Sequence, residues 1–181
     1  MSKWAKILGT GCCICMLTGC VASNQEKMST SESRIETSNQ QEVAGKLDFE
    51  LQGVDGKTYR LSDYQGKKVY IKFWASWCSI CLASLQGTDE LANEADDFVV
   101  LSVVAPEYRN EKSVEDFKQW YPTLGYEHLP VLLDEGGHIM QTFGIRAYPS
   151  SVLIDSTGKV ISTHIGHVPA EDVKIKMADI Q

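Results

Sequence analysis

The chain has 181 residues, 43% hydrophobic and 23% charged, a balance that supports one folded domain with additional segments. Its formal net charge is −7, and Lys and Arg do not cluster outside the first few residues, which excludes a nucleic-acid partner. The cysteines fall into an early group, Cys12, Cys13, Cys15 and Cys20, and an interior pair, Cys78 and Cys81. The early group lies inside a targeting segment and takes no part in the fold.

Lys3 and Lys6 precede the apolar run ILGTGCCICML. That run is shorter than the about 20 residues a membrane-spanning helix needs, and it suits a secretory signal. Residues 17–20, Leu-Thr-Gly-Cys, resemble the lipobox of bacterial lipoproteins. The resemblance implies a signal peptide over 1–19, cleavage after Gly19 and acylation of Cys20. The chain would then be lipid-anchored on the extracytoplasmic face of the cell membrane. An uncleaved signal anchor and plain secretion are the alternatives. Residues 20–45 form the lipidated cysteine and a tether rich in Ser, Thr, Asn, Gln and Glu, too poor in apolar residues to fold.

The folded domain is expected over 46–181. Its first stretch alternates apolar and polar residues around Asp55-Gly56, a hairpin signal. VYIKFWA (69–75) reads as a buried central strand. Residues 79–95 read as one helix with Ile80, Leu82, Leu85, Leu91 and Ala95 on its apolar face and Gly87 as its soft spot. FVVLSVVA (98–105) is a second buried strand. Residues 113–125 begin as a helix capped by Ser113, with Asp116 at the matching acidic position. A short extended piece (129–134) and a brief helix ended by Gly144 follow. A hairpin over 151–166 turns at Asp155–Gly158, and a helix starting at Pro169 closes the chain. This order predicts an α/β domain with a mixed central sheet.

FWASWCSIC (73–81) places Cys78 and Cys81 where that buried strand meets a helix N-terminus. A zinc site needs four ligands, and His128, His138, His164 and His167 lack ligand spacing, so no metal is expected. A purely structural disulfide over so short a loop adds little stability. Thiol–disulfide exchange fits the placement best. Unpaired N–H groups at the helix start favour a Cys78 thiolate, and Cys81, one turn later, can resolve a mixed disulfide. Trp77 and Trp74 can shield the pair, with core packing the simpler reading of Trp74. Lys72 sits on the buried strand beneath the cysteines. There, desolvation lowers its own pKa, while a charged ammonium near sulfur favours thiolate. The competing reading of Lys72 is a lysine that snorkels to solvent or pairs with a carboxylate.

DFELQGVDGKTYRLSDYQGKKVYIKFWASWCSIC, LPVLLDEGGHIMQTFGIRAYPSSVLID and GKVISTHIG together resemble the TlpA/ResA-like extracytoplasmic thiol–disulfide oxidoreductases of thioredoxin fold. Within these, the chain is most similar to the surface thioredoxin lipoproteins of Gram-positive cocci. The resemblance implies a thioredoxin fold with an N-terminal β-hairpin and a central insertion at 106–130. It implies a cis Tyr148-Pro149 bond beside the active site, whose backbone pairs with substrate alongside Trp77. It also implies a protein-disulfide reductase with no cofactor beyond its cysteine pair. Electrons would come from a CcdA-like membrane protein and pass to targets such as methionine sulfoxide reductase. Two departures stand out. Lys72 occupies the place of thioredoxin's buried Asp, and Ser84 that of an acid found in several ResA-like proteins. A surface disulfide-forming oxidase, a cytochrome c maturation reductase and a non-catalytic binding lipoprotein on the same scaffold are the alternatives.

Overall fold

The structure, a computed structural model, describes residues 48–180. The expected signal peptide, Cys20 and the tether lie outside the described residues. At the start of the described chain, β1 (Glu50–Gly53) and β2 (Thr58–Arg60) pair antiparallel, Glu50 opposite Arg60, around the predicted Asp55-Gly56 turn. Gly56 takes the φ of 79° that such a turn requires.

A sheet of order β2-β1-β5-β4-β3-β6-β7 organises the domain. β3 (Lys68–Phe73) lies inside it, parallel to β4 (Phe98–Val104) and antiparallel to β6 (Ser150–Ile154). β5 (Val131–Leu133) joins β4 in parallel and links it to the N-terminal hairpin. β7 (Val160–Ile165) closes the opposite edge antiparallel to β6. The sheet is therefore mixed, as the C-terminal hairpin requires.

Alternation along β3 separates two cores. Val69, Ile71 and Phe73 pack with Leu101, Val103 and Leu132, and with Met140 and Phe143 at α4 (His138–Thr142). Tyr70 and Trp74 turn to the other face, among Leu85 and Leu91 of α2 (Leu85–Glu94), Phe117 of α3 (Val114–Trp120), and Val173 and Met177 of α5 (Ala170–Ala178). Lys72 shares that second face. Trp74 is a core residue in full, with its ring among Phe117, Trp120 and Tyr121.

Four local expectations change. The predicted helix over 79–95 divides at Ser84 into α1 (Ser79–Ala83) and α2, while Gly87 sits unremarkably inside α2. Ser84 Oγ bonds back to the Ile80 and Cys81 carbonyls, a serine contact that bends helices. Ile80, expected on the apolar face, is 60% exposed on α1. The segment over 113–125 keeps its Ser113 cap but tightens after Trp120 into a 3-10 turn, Tyr121–Leu124, and Pro169 stands before α5 rather than inside it. No helix among the described residues is long and apolar enough to cross a membrane.

Candidate active site

Beyond β3, the Trp74 N–H still reaches the Val103 carbonyl, and the Cys78 N–H then closes a turn onto Ala75. This turn delivers Cys78 to the N-cap of α1, with extended φ and ψ of −86° and 106°. Cys78 and Cys81 are joined by a disulfide with a Cα–Cα distance of 5.2 Å. The Cys81 N–H donates to Cys78 Sγ at 3.2 Å, so the position that would carry a thiolate already faces a backbone donor. α1 has only five residues, and this local N–H matters more than any long macrodipole. Exposure ranks the sulfurs: Cys78 keeps 8% and Cys81 none.

Trp77 is 54% exposed and meets the Tyr148 ring edge-on at 5.8 Å. The Tyr148-Pro149 peptide bond is cis. Tyr148 lies outside the β6 ladder, while the Pro149 carbonyl is held by the Gly166 N–H at 2.8 Å. The Tyr148 hydroxyl donates to Met140 Sδ, and burial pushes its pKa up to about 12. Cys78, Trp77, Tyr148 and Pro149 thus meet at one end of the sheet.

Lys72 neither snorkels nor pairs with a carboxylate. It is 2% exposed, and its Nζ donates to Ser84 Oγ at 2.8 Å, Ser84 O at 3.3 Å and Thr88 Oγ1 at 2.8 Å. Both hydroxyls spend their own protons on carbonyls, so each can only accept from the amine. Desolvation pushes the Lys72 pKa down to about 8. Among the described residues its hydrogen bonds reach no sulfur; the nearest link is through Ser84 Oγ to the Cys81 carbonyl at 2.9 Å. The two departures noted in the sequence, Lys72 and Ser84, therefore contact each other. A cavity of about 240 Å³ flanks this cluster, lined among others by Tyr70, Thr88 and His167. Burial, and secondarily the Lys72 charge, lower the His167 pKa.

Sequence reasoning missed Glu111. Its buried carboxylate accepts from the Ser76 N–H, the Ser76 hydroxyl and the Lys112 N–H, clamping the turn two residues before Cys78. The loop carrying it holds Glu107, Arg109 and Asn110 at positive φ of 60°, 52° and 64° without a glycine. Of the three, only Asn110 is a residue type that favours this conformation, and the approach of Gly137 to the Tyr108 ring joins positions 29 residues apart.

Comparison with known proteins adds a family. Residues 41–179 match the Redoxin family model. The chain is 56% identical to the pneumococcal exposed lipoprotein thioredoxin Etrx1 of Streptococcus pneumoniae, covering 74% of this chain and 100% of that one, with a TM-score of 0.73. It is 30% identical to the thioredoxin-like protein YneN of Bacillus subtilis over 72% of this chain and 75% of YneN. It is 28% identical to the thiol-disulfide oxidoreductase ResA of Geobacillus thermodenitrificans over 74% of this chain and 75% of ResA.

Proposed function

The chain belongs to the Redoxin family and is a thiol–disulfide oxidoreductase of thioredoxin fold, and we propose that it works as a lipid-anchored reductase of surface-protein disulfides. The observation that carries this reading is the unequal pair: Cys78 at the helix N-cap with some exposure, Cys81 fully buried one turn on. Cys78 thiolate attacks one sulfur of the target disulfide. A Cys78–target disulfide forms, the target's own S–S bond breaks, and the departing target thiolate takes a proton. Cys81, as thiolate, then attacks Cys78 sulfur and releases the second target thiolate. Two electrons pass to the target, and the Cys78–Cys81 disulfide remains.

Each neighbouring residue has a role in that exchange. The Tyr148 backbone, beside Pro149, pairs with the extended target, and Trp77 covers one flank of the sulfurs. Lys72 tunes the pair through Ser84 and the Cys81 backbone, a buried positive charge favouring thiolate. No cofactor beyond the cysteine pair is needed. A membrane dithiol protein of the CcdA-like class restores the dithiol, and methionine sulfoxide reductase is a fitting target. The Leu-Thr-Gly-Cys box at Cys20 and the likeness to an exposed lipoprotein thioredoxin both support the outer membrane face.

Trapping thiols in intact cells tests the direction. Cys78 and Cys81 should be found largely reduced, and the purified dithiol should reduce insulin. A pair held fully as disulfide in growing cells with a working donor would favour the oxidase reading instead. In cells, Cys81→Ala should accumulate mixed disulfides on Cys78.

A further inference from the structure

Tyr108, Arg109, Tyr148 and Trp77 form a continuous row beside the cysteines. The Arg109 guanidinium carbon lies 5.0 Å from the Tyr108 ring centre and 5.9 Å from that of Tyr148. Tyr148 in turn meets Trp77 at 5.8 Å. We propose that this row recognises a disulfide-bearing polypeptide with a carboxylate beside the cysteine that Cys78 attacks. The proposal rests on the reading of Cys78 as the attacking thiolate.

Arg109 is exposed and makes no ion pair among the described residues. The acids around it are committed or simply exposed. Glu111 is occupied by Ser76 and Lys112, and Asp134 accepts from the Ile139 and Met140 N–H groups. Glu107, on the same turn, is exposed and is not within ion-pair distance of Arg109. The cation is therefore held in place by ring faces and left with its bidentate edge unused.

The loop holds Arg109 there at a cost. Positive φ at a non-glycine residue disfavours folding and persists only where the surroundings enforce it. Here the enforcement is visible. Glu107 N–H reaches Lys112 O, Tyr108 N–H reaches Ala105 O, and Glu111 N–H reaches Tyr108 O. Gly137 closes the set, because a Cβ there would stand 2.5 Å from the Tyr108 ring. A chain of net charge −7 repels an acidic segment over most of its surface, so a cation fixed on the row that begins at Trp77, the residue before Cys78, offers such a segment a local attraction. A target strand lying along Tyr148-Pro149, with its cysteine at Cys78, passes Trp77 and Arg109 with its flanking residues.

The test uses pre-reduced protein in single turnover against disulfide peptides that differ only beside the cysteine: Glu, Gln or Lys. Tryptophan fluorescence follows oxidation of the protein. Rates should fall in the order Glu, Gln, Lys, with Glu over Lys by about five-fold or more at low salt, and the ratio should shrink in about 1 M sodium chloride. Arg109→Gln should bring the Glu-to-Lys ratio toward one, and Arg109→Lys should keep part of it. Equal rates for the three peptides in the native protein, or a preference that survives Arg109→Gln, would overturn the proposal. Failure of every peptide to oxidise the reduced protein would sink the reductase reading and this proposal with it.

Discussion

Lys72 occupies a strand position that alternation turns toward α2, and its ammonium meets only neutral oxygens, from Ser84 and Thr88. A buried cation without a counter-charge costs stability whenever it is protonated. Its folded pKa, about 8, lies below the ordinary 10.5, so the folded state binds fewer protons than the unfolded one between these values. Stability should consequently rise as pH climbs from about 8 to 10.5, and the full penalty applies below about 8. Lys72→Met removes the charge and leaves two hydroxyls that already donate to carbonyls. The variant should be more stable at pH 7 by about 1–3 kcal/mol, with a flatter alkaline profile in urea titrations. A variant less stable at pH 7 that keeps the native slope would remove the buried-charge account. The same substitution should raise the Cys78 thiol pKa and slow its attack at neutral pH, as followed by the ultraviolet absorbance of the thiolate. An unchanged Cys78 titration would leave Lys72 a structural residue only. In the reduced native protein Cys78 should alkylate before Cys81, because its sulfur is the accessible one.

At the scale of elements, the turn from β3 to α1 is held from outside by the loop that follows β4. Glu111 satisfies both the Ser76 N–H and the Ser76 hydroxyl. Glu111→Ala leaves those buried groups without an acceptor and should cost about 2–3 kcal/mol. Insulin reduction should slow as well, since the turn positions Cys78; Glu111→Gln, retaining one acceptor, should lose less of both. Full stability and rate in Glu111→Ala would show that the turn holds itself. The contrast with what was legible in the sequence is physical. The Asp55-Gly56 turn, the β-rich run of β3, the Ser113 cap and the CxxC placement at a strand–helix junction are all encoded by neighbours in sequence. The environment of Lys72 and the clamp on Ser76 depend on pairs 12, 16 and 35 residues apart. Periodicity over 79–95 predicts one helix, and the apolar spacing does not register the back-bonding of Ser84 that interrupts it. Arg109 was illegible for the same reason, as nothing around it in sequence requires a left-handed residue.

For the molecule as a whole, the question is how one small sulfur site serves both a membrane donor and surface targets. The proposed anchor at Cys20 would keep the sulfur site at the membrane that holds its donor. Two acyl chains hold such an anchor where one would exchange. The anchor, on this account, matters for recharging the dithiol and not for its chemistry. Cys20→Ala should move the protein from the detergent phase to the culture medium on phase partition. The shed protein should carry Cys78 and Cys81 as a disulfide, having lost contact with its membrane donor. Reduced with dithiothreitol, it should process insulin at the rate of the anchored form, because Cys20 takes no part in the exchange. A Cys20→Ala chain that stays on the cell with its cysteine pair reduced would show that something other than the lipid holds it to its donor.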